Sequence, residues 1–295
     1  MTQIWIISDG KPGHLNQSLG LAEALQRQIP DVHIETKPAL TRTAALKLLC
    51  LGGADGKPDL LIGAGHRTHL SLLAYKRATC APAVLMMKPS LPMGWFDLCL
   101  IPKHDEPGER TNVVLTDGAL NRMQSMAERE PDSKGMILIG GLSKHFGWDD
   151  QLLVDQLKAI VDGSIPWLLT TSRRTPESFL PLVQQAELPN LEIVPFEQTG
   201  PGWLGKHLPQ AEQCWVSGDS VSMVFESLTA GSAVGILELP PQASNRITRG
   251  LQLLIDNHKV TPFSRWQESR LLPLPETPFN EAERCAELVR KRLLS

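Results

Sequence analysis

The sequence predicts an α/β fold of two Rossmann-like domains facing each other across a cleft. Three observations lead there. Strand-like and helix-like segments alternate along the whole 295-residue chain, the order that builds parallel sheets covered by helices. Many of the strand-like segments are continuous apolar runs, the pattern of strands buried on both faces. The plan also occurs twice. Each copy opens with an apolar run that stops at a glycine-containing polar loop: Ile4-Trp5-Ile6-Ile7 before Ser8-Asp9-Gly10-Lys11-Pro12-Gly13-His14, and Met136-Ile137-Leu138-Ile139 before Gly140-Gly141-Leu142-Ser143-Lys144. A charged stretch near Glu128–Gly135, containing Pro131, separates the copies. The expected domains are therefore 1–130 and 131–295.

In the first copy the strands fall at Ile4–Ser8, Val32–Thr36, Leu60–Gly63, Ala83–Met87, Leu98–Ile101 and Asn112–Leu115. Asn16–Gln28 reads as a helix with an apolar stripe at Leu15, Leu19, Ala22 and Ile29. Thr41–Leu51 and Thr68–Ala78 are further helices. In the second copy the strands are Met136–Ile139, Trp167–Thr170, Leu191–Val194, Cys214–Val216 and Val234–Leu237. Helices lie near Asp149–Val161, Pro176–Glu187, Ser220–Ala230 and Asn245–Asn257. A last helix starts at Asn280, whose spacing to Glu283 resembles a capping box. It carries one face of Ala282, Cys285, Val289 and Leu293. Two placements stay open for it, on the second domain or back across the junction on the first.

Composition narrows the class. With 42% hydrophobic and 21% charged residues the chain is globular. A net charge of −3 lacks the basic surplus of a dedicated nucleic-acid binder, so no nucleic-acid partner is expected. Five scattered cysteines with no CxxC pair argue against a disulfide framework or a thiolate zinc site, and read as small buried hydrophobes. No run is long enough to span a bilayer, and the N-terminus lacks the leader of a signal peptide. The expectation is a cytoplasmic protein, with attachment to a membrane surface left open.

Ligands of open α/β sheets bind beyond the carboxyl ends of the strands, and four loops there are unusually polar. In Ser8–Gln17, Gly10 and Gly13 permit close backbone approach, Lys11 adds a cation, and His14 sits at or near a helix N-terminus, where an anion is favoured. His14 and Asp9 are the candidate bases, with His14 preferred because an ordinary imidazole titrates near neutral pH. A capped Lys-Pro-Gly turn is the alternative. Gly63-Ala64-Gly65-His66-Arg67 lacks the third glycine of a dinucleotide fingerprint, yet His66 and Arg67 remain candidates for the acceptor or phosphate side. Arg173 and Arg174, before Pro176 at an expected helix start, suit a diphosphate. The fourth loop, Ser217 to Glu226, runs from a strand into a helix. Val221, Val224, Phe225 and Leu228 form its apolar stripe, and Ser222, Glu226 and Thr229 the polar one. Glu226 then stands one turn below the hydroxyl-rich helix start, where a carboxylate can accept hydrogen bonds from a ribose diol. A Walker loop, an HExxH helix and a GxSxG elbow are all missing from the sequence.

The stretches Ser8–Leu21 and Asp219–Val224, with Gly140-Gly141, resemble the mitochondrial fission elongated-mitochondria family, whose bacterial members are described as glycosyltransferases. The resemblance covers nearly the whole chain. It implies a GT-B-like architecture, with donor nucleotide on the second domain and acceptor on the first. It implies Glu226 on the donor ribose and Ser220 and Ser222 near the phosphates; with the polar loops, the expected nucleotide-sugar site is Gly141, Ser143, Lys144, Arg173, Arg174, Asp219, Ser220, Ser222, Met223 and Glu226. The acceptor or phosphate side would be Lys11, Gly13, His66 and Arg67. The expected activity is sugar transfer from a nucleotide-sugar to a lipid-linked or cell-envelope acceptor, with no cofactor and no metal. A nucleotide-sugar epimerase or hydrolase on the same fold, and a non-catalytic adaptor that recruits a partner to a membrane, are the alternatives.

Overall fold

The computed structural model describes residues 1–126, 134–242 and 246–294, with side chains from 248 onward in the last span. Most of the charged break expected near Glu128–Gly135, and the helix start expected at Asn245, lie outside the described residues. The chain divides into two compact units, Met1–Arg122 with Asn280–Ser295, and Met123–Phe279.

The first unit runs β1 (Thr2–Ser8), α1 (Pro12–Gln28), β2 (Val32–Pro38), α2 (Arg42–Leu51), β3 (Leu60–Ala64), α3 (His69–Thr79), β4 (Ala83–Met86), β5 (Leu98–Pro102) and β6 (Val113–Thr116). All pairings in this sheet are parallel, and the order is β2-β1-β3-β4-β5-β6. Alternate side chains of one strand serve opposite layers. Ile4 and Ile6, Leu60 and Ile62, Val84 and Met86 join one core beneath α1. Trp5 and Ile7, Leu61, Ala83 and Leu85 join the other beneath α3. That double burial is why these strands lack a polar face.

The second unit runs β7 (Gly135–Leu138), α4 (Asp150–Ile160), β8 (Trp167–Thr170), α5 (Phe179–Gln185), β9 (Leu191–Val194), α6 (Trp203–His207), β10 (Gln213–Ser217), α7 (Val221–Ala230), β11 (Ala233–Leu237), α8 (Arg246–Asp256), β12 (Thr261–Pro262) and α9 (Phe263–Ser269). Its sheet is again parallel, ordered β12-β11-β10-β7-β8-β9. Counted from β7, this is the 3-2-1-4-5-6 order of dinucleotide-binding sheets read from the far edge.

The final helix, α10 (Glu281–Leu293), lies on α1 in the first unit. Asn280 is its N-cap and accepts from the Glu283 N–H at 3.0 Å. The Glu283 carboxylate is turned toward α1, where it meets Arg27 Nε at 2.5 Å and Gln28 Nε2 at 2.8 Å. Ala282, Cys285, Ala286 and Val289 are buried against the same core as Leu21 and Leu25.

Several local expectations need correction. Helix α1 starts at Pro12, not Asn16, because proline fits the first helical turn and Lys11 serves as N-cap. Its most buried face holds Ser18, Leu21, Ala22 and Leu25, with Leu15, Leu19 and Ile29 only partly covered. Helix α5 starts at Phe179, three residues after Pro176, following a turn closed by Thr175 N–H on Ser172 O. Thr229 is buried and donates to Phe225 O at 2.8 Å, so it does not belong to the polar face of α7. Cys99, Cys214 and Cys285 are buried thiols as expected, but Cys50 and Cys80 are exposed.

One position tests the α1 packing. A Cβ at Gly20 would lie 2.6 Å from the Asn121 carbonyl carbon, which is backbone and cannot rotate away. Gly20→Ala should gain about 1 kcal/mol of helix propensity and lose about 1–3 kcal/mol to overpacking. The expected outcome in urea denaturation is a net loss of stability; a gain would mean that the 120s segment shifts freely.

Candidate functional site

In a parallel sheet the strand order reverses direction at one point, and the loops on either side leave an opening at the carboxyl edge. In the first sheet that point lies between β1 and β3, in the second between β7 and β10. Three of the four polar loops picked from the sequence are those beyond β1, β3 and β10, and Gly140-Gly141 follows β7.

Beyond β1 the backbone turns sharply. Gly10 has φ +81°, in the left-handed region, and its N–H donates to Ser8 Oγ at 3.2 Å. The Lys11 N–H donates to Asp9 Oδ1 at 3.1 Å. His14 then falls in the first turn of α1, with its Nδ1 3.0 Å from Asp9 Oδ2 and 3.2 Å from Oδ1. The Asp9 side chain is 0% exposed and that of His14 18%. Burial alone would raise the Asp9 pKa, but the Lys11 N–H and the hydrogen bond and charge of His14 more than offset it and hold the carboxyl below its ordinary value. An ionised Asp9 accepts, so the geometry assigns the imidazole proton to Nδ1. Nε2 then carries the lone pair, and it has no hydrogen bond among the described residues.

The loop beyond β3 completes this arrangement. Gly65 has φ +81°, and a Cβ there would overlap the His14 ring. The glycine thus lets the backbone press against the imidazole and fix its plane. Arg67 is exposed and, with Ser8, Asp9, Gly10, Thr36 and Pro38, lines a pocket of about 420 Å³. His66 is exposed on the same turn, Lys11 is exposed, and a Cβ at Gly13 would meet nothing within 4 Å. His69 is a different case. It is buried beside Phe96 with a ring-centroid distance of 5.8 Å, and burial, then the charge of His66, push its pKa down to about 4. It is a neutral core residue.

In the second unit another buried carboxylate ties the loops together. Asp219 Oδ2 accepts from Gly141 N–H at 2.8 Å and from Arg174 NH2 at 2.9 Å, and its Oδ1 accepts from Ser217 Oγ at 2.7 Å. Ser217 Oγ in turn accepts from Gly140 N–H at 2.7 Å. Arg174 NH1 reaches Gly141 O at 3.1 Å and Leu142 O at 2.8 Å. Ser172 Oγ donates to Gly140 O at 2.6 Å, and Thr175 Oγ1 donates to the same carbonyl.

This network gives Arg174 a structural role beside the diphosphate binding expected of the arginine pair. Arg174 neutralises Asp219 and fastens the Gly140–Leu142 turn. Neither arginine stands at a helix start, since α5 begins further on and has seven residues. Arg173 is exposed, its guanidinium 5.6 Å from the Phe196 ring centroid. Asp219 itself is an internal strut, its buried carboxylate engaged with three donors. Ser143 Oγ caps a local turn by accepting from His145 and Phe146 N–H at 3.2 and 3.1 Å. Lys144 is exposed.

Helix α7 starts just after Asp219. Ser220 is its N-cap, but its side chain makes no capping hydrogen bond. The first-turn N–H groups therefore have no side-chain cap, as suits an anion-binding helix end. Ser222 is exposed, and Met223 and Glu226 are half-buried. Among the described residues no group of three or more His, Cys, Asp or Glu is placed to hold a metal, and no helix is long and apolar enough to cross a membrane.

Residues 12–293 match the family described as Mitochondrial fission ELM1, and the chain belongs to that family. An uncharacterised protein of Rickettsia prowazekii, RP120, is 22% identical, with 97% of each chain covered. Among solved structures, MurG of Acinetobacter baumannii superposes with a TM-score of 0.53 at 13% identity, covering 99% of this chain and 100% of that one. A glycosyltransferase of Rickettsia africae gives 0.54 at 9% identity, with 99% and 98% covered. MnaA of S. aureus, solved with UDP, gives 0.50 at 13% identity, with 100% and 97% covered. At these identities the likeness establishes the fold, which is of the GT-B type.

The two buried carboxylates give separate tests. The depressed Asp9 pKa makes its charge a source of stability that is complete above the ordinary aspartate value of 3.8 and lost as pH falls through the lower folded value. Asp9→Asn should therefore be less stable than wild type at pH 7, and the gap should close only below about pH 4. Urea denaturation across pH 3–7 checks this, and a gap constant over that range would contradict it. Asp219→Ala strands Arg174 and two N–H or O–H donors. Breaking a buried ion pair costs about 3–5 kcal/mol; with Arg174 43% exposed, about 2–3 kcal/mol is expected after solvent screening. A loss below about 0.5 kcal/mol, the range of ordinary surface substitutions, would show that the strut is dispensable.

Proposed function

We propose that this member of the family is a glycosyltransferase. It would move a sugar from a nucleotide-activated donor held by the second unit to a hydroxyl of a lipid-linked or cell-envelope acceptor held by the first. The observation that carries the reading is the buried Asp9–His14 pair at the strand-order reversal of the first sheet, with Nε2 unengaged. An imidazole oriented through Nδ1 by a buried carboxylate presents Nε2 as a proton acceptor, and the carboxylate stabilises the imidazolium that forms.

In the proposed reaction the acceptor oxygen attacks the anomeric carbon of the donor sugar. The new C–O bond forms as the bond to the diphosphate breaks, the electron pair leaves with the diphosphate, and the acceptor proton moves to His14 Nε2. Asp9 is a positioning residue and His14 the base. On the donor side, the first-turn N–H groups of α7, the hydroxyls of Ser220 and Ser222, and the cation of Arg173 favour the charge that grows on the departing diphosphate. Glu226, one turn along α7, would accept from the ribose hydroxyls, and Met223 would line the same site. UDP bound in the MnaA structure belongs to that protein; for this chain it supports beginning the search for a donor with uridine nucleotides.

A thermal-shift panel of nucleotides and nucleotide-sugars identifies the donor; a ligand at about 100 times its dissociation constant adds about 2.7 kcal/mol. With that donor, His14→Ala and His14→Gln should each lower kcat by about 100-fold or more with donor affinity retained. Asp9→Asn should lower kcat in the same direction. Wild-type turnover by both His14 variants would remove the base from the scheme. Release of free or epimerised sugar, with no transfer to any acceptor, would redirect the reading to a hydrolase or epimerase.

A further inference from the structure

The proton transfer engages Asp9 and His14 but none of the cations around the pocket beside them. That pocket, of about 420 Å³, opens beyond β1 and β2. Ser8 and Pro38 are partners in the β1–β2 register. Thr36 and Ala39 extend that wall, and Arg67 joins it from the turn after β3.

The polar side chains free to meet a ligand here are donors. Arg67 has no hydrogen bond or ion pair among the described residues, and the Thr36 hydroxyl has no partner among them either. Ser8 Oγ accepts from Gly10 N–H at 3.2 Å, which leaves its own hydrogen to donate. The acceptors nearby are already engaged. Ser8 O accepts from Ala39 N–H at 2.8 Å. The Asp9 carboxylate is 0% exposed and is held by Lys11 N–H and His14.

The charge around the pocket has one dominant sign. Lys11 stands close enough for its charge to lower the Asp9 pKa. Lys11 and His66 also make no side-chain hydrogen bond or ion pair among the described residues. The other carboxylates of residues 1–70 are occupied or lie elsewhere. Glu23 is paired with Arg122 at 2.6 Å and Glu35 with Lys37 at 2.7 Å. Asp31 and Asp59 stand at the amino edge of the sheet, and Asp55 lies in the 52–57 loop that leads to it. The Asp9 charge opposes an anion here, but it is shared with His14 and outnumbered by Lys11 and Arg67. Unpaired cations of this kind, on a chain whose net charge is −3, set up a local field that attracts an anion.

We propose that this pocket binds an oxyanion, a phosphoryl or carboxylate group carried by the acceptor. Arg67 grips two of its oxygens with the planar guanidinium fork. The Ser8 and Thr36 hydroxyls donate to it, and Lys11 adds charge from the side. Pro38 and Ala39 give an apolar wall to the part of the ligand that adjoins the anion. Asp9 belongs both to the pocket wall and to the His14 pair, so an acceptor anchored here has the rest of its body beside the base. Calling the ligand the acceptor rests on the transfer reading; the preference for an anion rests on the pocket alone.

The test titrates the full 15N-labelled chain with inorganic phosphate, and in a second arm with acetate, at constant ionic strength. The amides of Gly10 and Arg67 and the Arg67 Nε–H should shift saturably in at least one arm. The tighter arm tells whether the acceptor carries a phosphate or a carboxylate. Arg67→Ala should weaken that binding at least about tenfold. Arg67→Lys keeps the charge and loses the fork, and should fall between. Both variants should keep the wild-type melting temperature, since Arg67 is exposed, so a loss of binding is not a loss of fold. The proposal is overturned if neither anion gives saturable shifts at Gly10 and Arg67, if saturable shifts are confined to the start of α7, or if Arg67→Ala binds as wild type does. Saturable binding by a protein that transfers no sugar would uphold the oxyanion pocket and remove the transfer reading. Transfer by Arg67→Ala at the wild-type KM for the acceptor would uphold the transfer reading and overturn this one.

Discussion

Each unit is organised around one buried carboxylate at the carboxyl edge of its sheet. Asp9 follows the last residue of β1, and Asp219 stands two residues beyond the end of β10. Taking a carboxylate out of water costs several kcal/mol unless donors replace the lost hydration. That requirement dictates the loops. Lys11 N–H and His14 must come to Asp9, and Gly141 N–H, Ser217 Oγ and Arg174 must come to Asp219. In both units a strand-terminal serine takes part, Ser8 capping Gly10 and Ser217 capping Gly140. The strand-order reversals then lie between loops whose backbone is held in one conformation.

The two carboxylates differ in the partner they hold, Arg174 for Asp219 and His14 for Asp9. A guanidinium is permanently charged and presents a rigid fork. Paired with Asp219, it locks the Gly140–Leu142 turn and has no proton to exchange. An imidazole changes charge near neutral pH. Paired with Asp9, it is oriented at one nitrogen and available at the other, and Gly65 presses on the ring. In the proposed reaction the first unit moves the proton, and the start of α7 in the second presents fixed dipoles to the departing anion.

Much of this was legible in the sequence because the signals were local. All six strands of the first sheet and five of the second fall where the sequence marks strands, and the central ones are the apolar runs that double burial forces, whereas the edge strands β2 and β9 are only partly buried. The sequence marks helix starts at Asp149 and at Asn280, the second from its capping-box spacing, and both side chains accept a first-turn N–H. Short elements held by tertiary contact were not legible. Strand β12 has two residues, one of them proline, and α9 owes its place to Phe263 and Trp266 against Trp215. The role of Arg174 was hidden for another reason. Two adjacent arginines look alike in sequence, and only the fold shows that one meets a carboxylate 45 positions away while its neighbour faces solvent. Gly65 was visible as a glycine, but its purpose depends on His14, which arrives from another loop.

Helix α2 marks where apolar periodicity stops predicting burial. From sequence, a helix rich in leucine and alanine with few charges belongs in a core. Yet both layers of the first sheet already have their cover: α1 and α10 fill one, and α3 with Phe96 fills the other. Helix α2 packs on α3 instead, with Ala45 buried, Leu48 and Leu49 half-buried, and Leu46 and Leu51 left outside.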